Sequence, residues 1–217
     1  MCSQASINKE KTKNVGIYFK VKRLMDCIMS LIGIILLIPV FIIIVFLIKI
    51  DSKGPAIFRQ ERYGKNKKPF YIYKFRTMRL DAPKNVSTKE LNDSKKYITK
   101  IGAFLRRTSL DELPQLFNIL LGQMSIVGPR PVVLKEKKLI VAREQYGAND
   151  VKPGITGWAQ INGRDRLSAK EKAELDGFYV ENIGFLMDLK CFFKTIQYVL
   201  KGQDILEGGE DVDVNHI

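Results

Sequence analysis

From Ile28 to Ile48 the chain runs 21 residues without a charge, with Pro39 near the middle. At about 1.5 Å per residue, a straight helix of that length crosses about 30 Å of hydrocarbon. Pro39 removes one backbone hydrogen bond and sets its ring against the carbonyl of Ile35, which opposes straightness. Lys20, Lys22 and Arg23 precede the run, and Lys49 and Lys53 follow it. Basic residues mark the cytoplasmic side of a membrane segment, and here both flanks are basic. Two readings fit. One is a kinked span, since proline is tolerated in membrane helices. The other is a re-entrant hairpin that enters and leaves on one face, bent at Pro39. A cleaved signal peptide fits poorly, because the run is long, no small-residue site follows it and Lys49 comes at once.

Beyond the run the pattern is that of a soluble domain. Ala56 to Gln60 and Phe70 to Arg76 are β-prone pieces around the polar turn Gly64-Lys65-Asn66, which predicts a hairpin. Residues 81 to 94 are polar, and read as a loop or short helix. Leu113, Leu116, Phe117, Leu120 and Leu121 recur at helical spacing after Ser109, and Gly122 is a natural stop. Val132 to Tyr146 predicts a polar helix, and residues 151 to 165, with three glycines and a proline, mostly loop. Ser168 to Lys201 predicts a helix with Phe185, Leu189, Phe192, Phe193, Ile196 and Leu200 on one side and Lys190, Lys194 and Lys201 interspersed. That stripe suits either a membrane interface or the domain core. The expected division is a loose tail over 1–19, an anchor over 20–50, a cytoplasmic domain over 51–202 and a second tail over 203–217.

Charge narrows the partners. The 217 residues hold 36 basic and 23 acidic side chains, a formal net charge of +13. Such an excess suits anionic lipid headgroups, phosphorylated small molecules or nucleic acid. The anchor favours the first two, and no nucleic-acid-binding pattern is present, so nucleic acid is not an expected partner. Cys2, Cys27 and Cys191 lie too far apart for metal-ligand spacing or a disulfide framework. The one histidine, His216, is next to last, which removes histidine-based acid–base chemistry. Catalysis falls to carboxylates, Lys, Arg, Ser or Tyr, with Mg²⁺ as a compatible cation.

Four clusters carry candidate chemistry. Asp111-Glu112 stands near Arg106 and Arg107 at an expected helix start. Ser109 and Glu112 have the spacing of a capping box, which accounts for Glu112 without function. Alternatively, a carboxylate there ligates Mg²⁺ or attacks phosphorus. In Gly128-Pro129-Arg130-Pro131 two prolines restrict the backbone around one guanidinium. That suits a two-bond grip on phosphate, or is a plain turn with a solvated arginine. Lys74 and Arg76 share a strand face by alternation, with Arg79 following, and either line an anionic pocket or face solvent. Asn162-Gly163-Arg164 closes a glycine-rich loop whose backbone can approach a ligand. Trp158 in that loop reads as core, with base stacking as the other option. Asp211-Val212-Asp213 has the D-x-D form of nucleotide-sugar enzymes but lies in the tail.

In order, K-R-L-M-D, I-Y-K-F-R-T-M, S-L-D-E-L-P-Q-L-F-N, M-S-I-V-G-P-R-P, K-P-G-I-T-G-W-A-Q-I-N-G-R and the stretch from Phe178 to Lys190 resemble the bacterial sugar transferases, the monotopic phosphoglycosyl transferases. The matching segments cover about residues 20 to 200. The resemblance implies transfer of a phosphosugar from a UDP-sugar to a polyprenyl phosphate, such as undecaprenyl phosphate, at the cytoplasmic face of a bacterial inner membrane. UMP is released, and the step opens glycan assembly. It implies that Asp111 attacks the β-phosphorus and ligates Mg²⁺, that Glu112 completes the pair, and that Arg130, Arg106 and Arg164 contact phosphate or nucleotide; Lys74 and Arg76, read from alternation, are expected to join them. The implied fold is α+β and mostly helical, with a small β-hairpin, a re-entrant helix–break–helix anchor bent at Pro39 and interfacial amphipathic helices. Many members carry serine just before the bending proline; Ile38 stands there instead.

Two other functions remain open. A nucleotide-sugar glycosyl transferase acting on a lipid acceptor would release UDP. A non-catalytic membrane adaptor would bind anionic lipid through its basic head and turn over nothing.

Overall fold

The computed structural model describes residues 2–83, 96–163 and 166–201, with side chains for 16–83, 96–163 and 166–198. Helix α1, Cys2–Asp51, contains the apolar run and also the positions expected to form a loose tail. It continues through Pro39 as one helix, where the resemblance implied two helices and a break. One proline deletes one backbone bond, so a change of direction there is a kink within α1 rather than an interruption. Among the described residues, Gly16–Asp51 is the one stretch long and apolar enough to cross a membrane.

One stripe of α1 faces the rest of the chain. Lys22, Asp26, Ser30, Ile44 and Ile48 are buried, each about one turn from the next except for the gap from Ser30 to Ile44, which is close to four turns. The opposite faces leave Leu24, Ile28, Ile32, Ile35, Leu36, Ile42, Ile43, Phe46 and Ile50 exposed. So long an uncovered apolar surface has no place in water.

The expected hairpin forms. Strand β1, Ile57–Tyr63, pairs antiparallel with β2, Pro69–Phe75, around a 3₁₀ turn at Lys65–Lys67. Asn66 and Lys67 take positive φ in that turn. On β2, Phe70 and Ile72 face the core, and Lys74 continues their face. After β2 come helix α2, Lys100–Arg107, a 3₁₀ turn at Leu110–Glu112, and helix α3, Gln115–Leu120. Thus the single helix expected after Ser109 is a tight turn followed by a short helix, because Pro114 supplies no N–H and marks a new helix start.

Two further pairings were not expected. Strand β3, Ser125–Val127, lies parallel to β5, Gly154–Thr156, inside the stretch read as loop. Strand β4, Val132–Val133, joins β1 as a third strand, giving the order β2-β1-β4. The polar helix therefore starts late, as α4, Lys137–Glu144. A short helix α5, Trp158–Ile161, follows β5. The long C-terminal helix divides into α6, Ala169–Glu181, and α7, Phe185–Lys201, around Asn182 to Gly184. Ser168 and Glu171 form a reciprocal capping box at the start of α6.

Small cores tie these pieces together. Ile44 and Ile48 of α1 pack with Ala56, Phe75 and Leu105. Phe70 and Ile72 pack with Ile119 and Met124. Val127, Ile161, Tyr179 and Cys191 form a third cluster. On α7, Phe185, Leu186, Leu189, Phe193 and Ile196 stay exposed, so most of its apolar stripe is not spent on a core. Trp158 stacks against Phe178 at 5.4 Å between ring centres, with Lys190 and Lys194 over its ring at 4.9 and 5.6 Å. It is a half-buried packing residue covered by cations.

Candidate active site

The carboxylate pair sits where a strand end meets a helix reversal. Helix α2 approaches the residues after β2 so closely that a Cβ on Gly102 would lie 2.1 Å from the Thr77 carbonyl oxygen. Thr77 Oγ1 accepts from Arg106 Nε at 2.8 Å, which sets the Arg106 guanidinium beside the pair. Ser109 then adopts φ 55°, ψ 14° and turns the chain back. Its side chain makes no capping bond, and its buried Oγ has no partner among the described residues. The expected capping box is therefore absent, and the Glu112 carboxylate points elsewhere.

It points at two cations. Glu112 Oε1 accepts from Lys74 Nζ at 2.7 Å and from Arg130 Nη2 at 2.7 Å. Asp111 is equally buried, and it lies 3.8 Å from Lys74 Nζ. Burial raises the Asp111 pKa above the ordinary carboxylate value, and the neighbouring Glu112 adds to this. Lys74, Arg106 and Arg130 pull the other way without cancelling it. The two carboxylates thus differ in pairing: Glu112 bonds Lys74 and Arg130 directly, and Asp111 lies beside them, 3.8 Å from Lys74.

Arg130 is presented by a loop with nearly every carbonyl held. Tyr179 Oη donates to the Val127 carbonyl at 3.1 Å. Gly128 N donates to the Thr156 carbonyl, and Gly154 N to that of Pro129. Arg143 Nη1 donates to the Arg130 carbonyl at 3.0 Å, and Arg62 Nη1 to that of Pro131 at 3.2 Å. Gly128 permits the approach, since a Cβ there would lie 2.5 Å from the Lys152 carbonyl oxygen. Behind the loop, Arg143 Nε and Nη2 donate to Asp176 Oδ2 at 2.8 and 2.5 Å, in full burial. Burial raises the Asp176 pKa although Arg143 opposes it. Arg62 is fixed by Gln60 Oε1, and burial together with the nearby Arg130 pushes its pKa down to about 10.

Lys74, Asp111, Glu112 and Arg130 are therefore gathered in space, with Arg106 at the edge. Arg76 is not among them. Strand β2 ends at Phe75, and the Arg76 guanidinium turns to the end of α1, donating to the carbonyls of Ser52 and Lys53. Arg164 lies outside the described residues, as do Asp211, Asp213 and His216. Sequence reading missed Arg143, Asp176 and Arg62. Each is a polar residue in a polar stretch, without a local signal of burial.

Among the described residues no three acidic, cysteine or histidine side chains gather as a metal cage. Mg²⁺ is commonly bound through one or two carboxylates together with substrate phosphates. Asp111 offers such a carboxylate, without a tight ion pair to displace.

Residues 17–202 match the family model described as bacterial sugar transferase. A UDP-glucose:undecaprenyl-phosphate glucose-1-phosphate transferase of Klebsiella pneumoniae is 44% identical over 195 residues, covering 83% of this chain and 40% of that protein. The exopolysaccharide production protein PSS of Rhizobium leguminosarum bv. phaseoli is 41% identical over 187 residues, covering 81% of this chain and 92% of that protein. A UDP-N-acetylgalactosamine-undecaprenyl-phosphate N-acetylgalactosaminephosphotransferase of Aeromonas hydrophila is 36% identical over 197 residues, covering 86% and 45%. The chain therefore spans less than half the length of the Klebsiella and Aeromonas relatives and nearly all of the Rhizobium one.

Proposed function

The chain belongs to the bacterial sugar transferase family, and on that premise we propose that it moves a phosphosugar from a UDP-sugar to a polyprenyl phosphate at the cytoplasmic face of the bacterial inner membrane. UMP is the second product, and the step opens the assembly of a polysaccharide or other glycan. The observation that carries the proposal is the unequal pairing of the two carboxylates. Glu112 engages Lys74 and Arg130 at 2.7 Å, while Asp111, in the same buried setting, lies 3.8 Å from Lys74.

The chemistry follows from that division. An Asp111 oxygen attacks the β-phosphorus of the UDP-sugar, and the bond from that phosphorus to the bridging oxygen breaks. UMP leaves with the electron pair, and the phosphosugar is esterified to Asp111. An oxygen of the polyprenyl phosphate then attacks the same phosphorus and releases the aspartate. The soluble donor and the lipid acceptor never need to share the site. Lys74, Arg106 and Arg130 offset the charge of the phosphates, where most catalysis of phosphoryl transfer arises. Bound through Asp111, Mg²⁺ supplies further neutralisation of the pyrophosphate.

A membrane-embedded acceptor requires a head held at the lipid surface. We read α1 as re-entrant, with both of its limbs anchored to the head. Before Pro39, Asp26 Oδ1 accepts from Ile126 N, and Arg23 donates to the carbonyls of Ile119 and Leu120 at the end of α3. After it, Phe41 packs on Phe75 and Phe117, and Asp51 Oδ2 accepts from Ile101 N. A helix crossing about 30 Å of hydrocarbon would carry one of those limbs away from the head. The exposed Phe185, Leu186, Leu189 and Phe193 of α7 suit the same interface, with Lys190 and Lys194 facing anionic headgroups.

The relatives differ in their named sugars, so the donor is left open. The test is a panel of UDP-sugars offered with undecaprenyl phosphate and Mg²⁺, with nucleotide products resolved. UMP from at least one donor supports the proposal. UDP would identify a glycosyl transferase, and no turnover with any donor would favour an adaptor.

A further inference from the structure

A second basic concavity lies apart from the carboxylates and shares no lining residue with them. It encloses about 200 Å³, lined among others by Lys22, Arg23, Asp26, Lys65, Ser125 and Lys152. Two of its cations converge. Arg23 Nη2 and Lys152 Nζ lie 3.2 and 3.8 Å from the point a Cβ on Gly122 would occupy. Arg23 is fixed there by its bonds to the Ile119 and Leu120 carbonyls. Lys152 is half-buried and has no hydrogen-bond or ion-pair partner among the described residues. Burial, and then the charge of Arg23, lower its pKa.

Of the acidic groups nearby, Asp26 attracts Lys152 without cancelling the effects of burial and of Arg23. Asp26 Oδ1 accepts from Ile126 N, and Asp188 is engaged by Lys22, Tyr18 and Tyr179. Ser125 also lines the cavity, and its hydroxyl, buried just behind the wall, has no partner among the described residues. A buried hydroxyl without a partner costs stability, as does a half-buried cation beside another. Capping of α3 explains Arg23, but it explains neither Lys152 nor Ser125. An oxyanion with several acceptor oxygens answers all three. The volume is that of several water molecules at about 30 Å³ each, room for a phosphoryl group and the start of its ester.

We propose that this cavity, formed by Arg23, Lys152 and Ser125, binds a phosphate group, which ties the entry of α1 to β3 and to the loop before β5. The source is either free phosphate or the headgroup of a phospholipid. The lipid alternative rests on the membrane reading of α1, because Arg23 stands where the apolar run begins.

The test uses the full chain in detergent, carrying Arg130→Ala to weaken phosphate binding beside the carboxylates. Thermal unfolding is followed against inorganic phosphate at constant ionic strength, and separately against dihexanoyl phosphatidylglycerol below its micelle concentration. The melting temperature should rise with ligand, with half-saturation shifted about tenfold upward by Lys152→Ala. Ser125→Ala should melt at or above its parent without ligand, since it removes the orphan hydroxyl, yet respond more weakly to ligand. A stronger response to the phospholipid identifies a headgroup; an equal or stronger response to inorganic phosphate identifies the free ion. The proposal is overturned if neither ligand raises the melting temperature, or if both substitutions leave the rise intact. Melting does not depend on turnover, so this outcome stands whether or not the transferase reading holds.

Discussion

Arg143→Lys should damage catalysis through Arg130 without touching substrate. Arg143 makes three bonds, two to Asp176 Oδ2 and one to the carbonyl of Arg130. Lysine keeps the charge but reaches Asp176 from one point and loses the carbonyl tether. The tether is worth about 1 kcal/mol and one charge-assisted bond about 1.5–3 kcal/mol, so destabilisation should come to about 3 kcal/mol. For a chain of this size that lowers the melting temperature by roughly 6–12 °C. Asp176 Oδ1 has no partner among the described residues, so little else steadies that carboxylate. Well below the melting temperature, kcat/KM should fall about tenfold, because the loop no longer holds the Arg130 guanidinium against Glu112 and the incoming phosphate. The assay is steady-state UMP release by Arg143→Lys, Arg130→Lys and the double variant. If Arg143 acts through Arg130, the losses in the double variant will be well short of additive. Wild-type kcat/KM in Arg143→Lys, or full additivity, would show that the Arg143–Asp176 pair supports the fold alone.

Asp111→Asn should abolish turnover yet raise the melting temperature at neutral pH without Mg²⁺. The folded pKa of Asp111 lies above its ordinary 3.8, so its contribution to stability is greatest below that value and is lost as pH rises through the folded pKa; the amide escapes that cost. The same shift should move the acid limb of the wild-type pH–activity profile above the ordinary carboxylate range, and a limb near 3.8 would speak against Asp111. Arg130→Lys should cut kcat/KM strongly although charge is kept, since lysine lacks the planar two-bond grip; near-normal kinetics would reduce Arg130 to a turn residue. Pro39→Ala should restore the missing hydrogen bond, straighten α1 and lower activity. Single-cysteine labelling near residue 10, in a background lacking Cys2, Cys27 and Cys191, should report a cytoplasmic tail in the wild type, and labelling only from outside would mark a simple span.

What the sequence disclosed depended on the range of the signal. The long apolar helix and the hairpin were legible because hydropathy and the β-prone pieces around Gly64-Lys65-Asn66 are local. The break at Asn182 to Gly184 is also local, but the apolar stripe, Phe185 to Leu200, lies wholly beyond it and does not mark where the preceding helix ends. The capping box at Ser109 failed for a backbone reason: a positive φ turns the hydroxyl away from the helix start. Alternation put Arg76 beside Lys74, but the strand ends one residue earlier. The approach of Arg130 to Glu112, and of Arg143 to Asp176, spans 18 and 33 residues through pairings of β3 with β5 and α4 with α6. No periodicity reports those contacts. The ordered motifs gave the carboxylates and Arg130 as candidates; the unequal pairing of Asp111 and Glu112 is legible only in the structure.

The most direct test of that difference is the intact mass of the protein after exposure to its UDP-sugar and Mg²⁺ with no lipid acceptor. The account predicts an adduct of one phosphosugar, localised by peptide mapping to Asp111, absent from Asp111→Asn and discharged when undecaprenyl phosphate is added. An adduct on another residue, or turnover to lipid product with UMP release in Asp111→Asn, would contradict it.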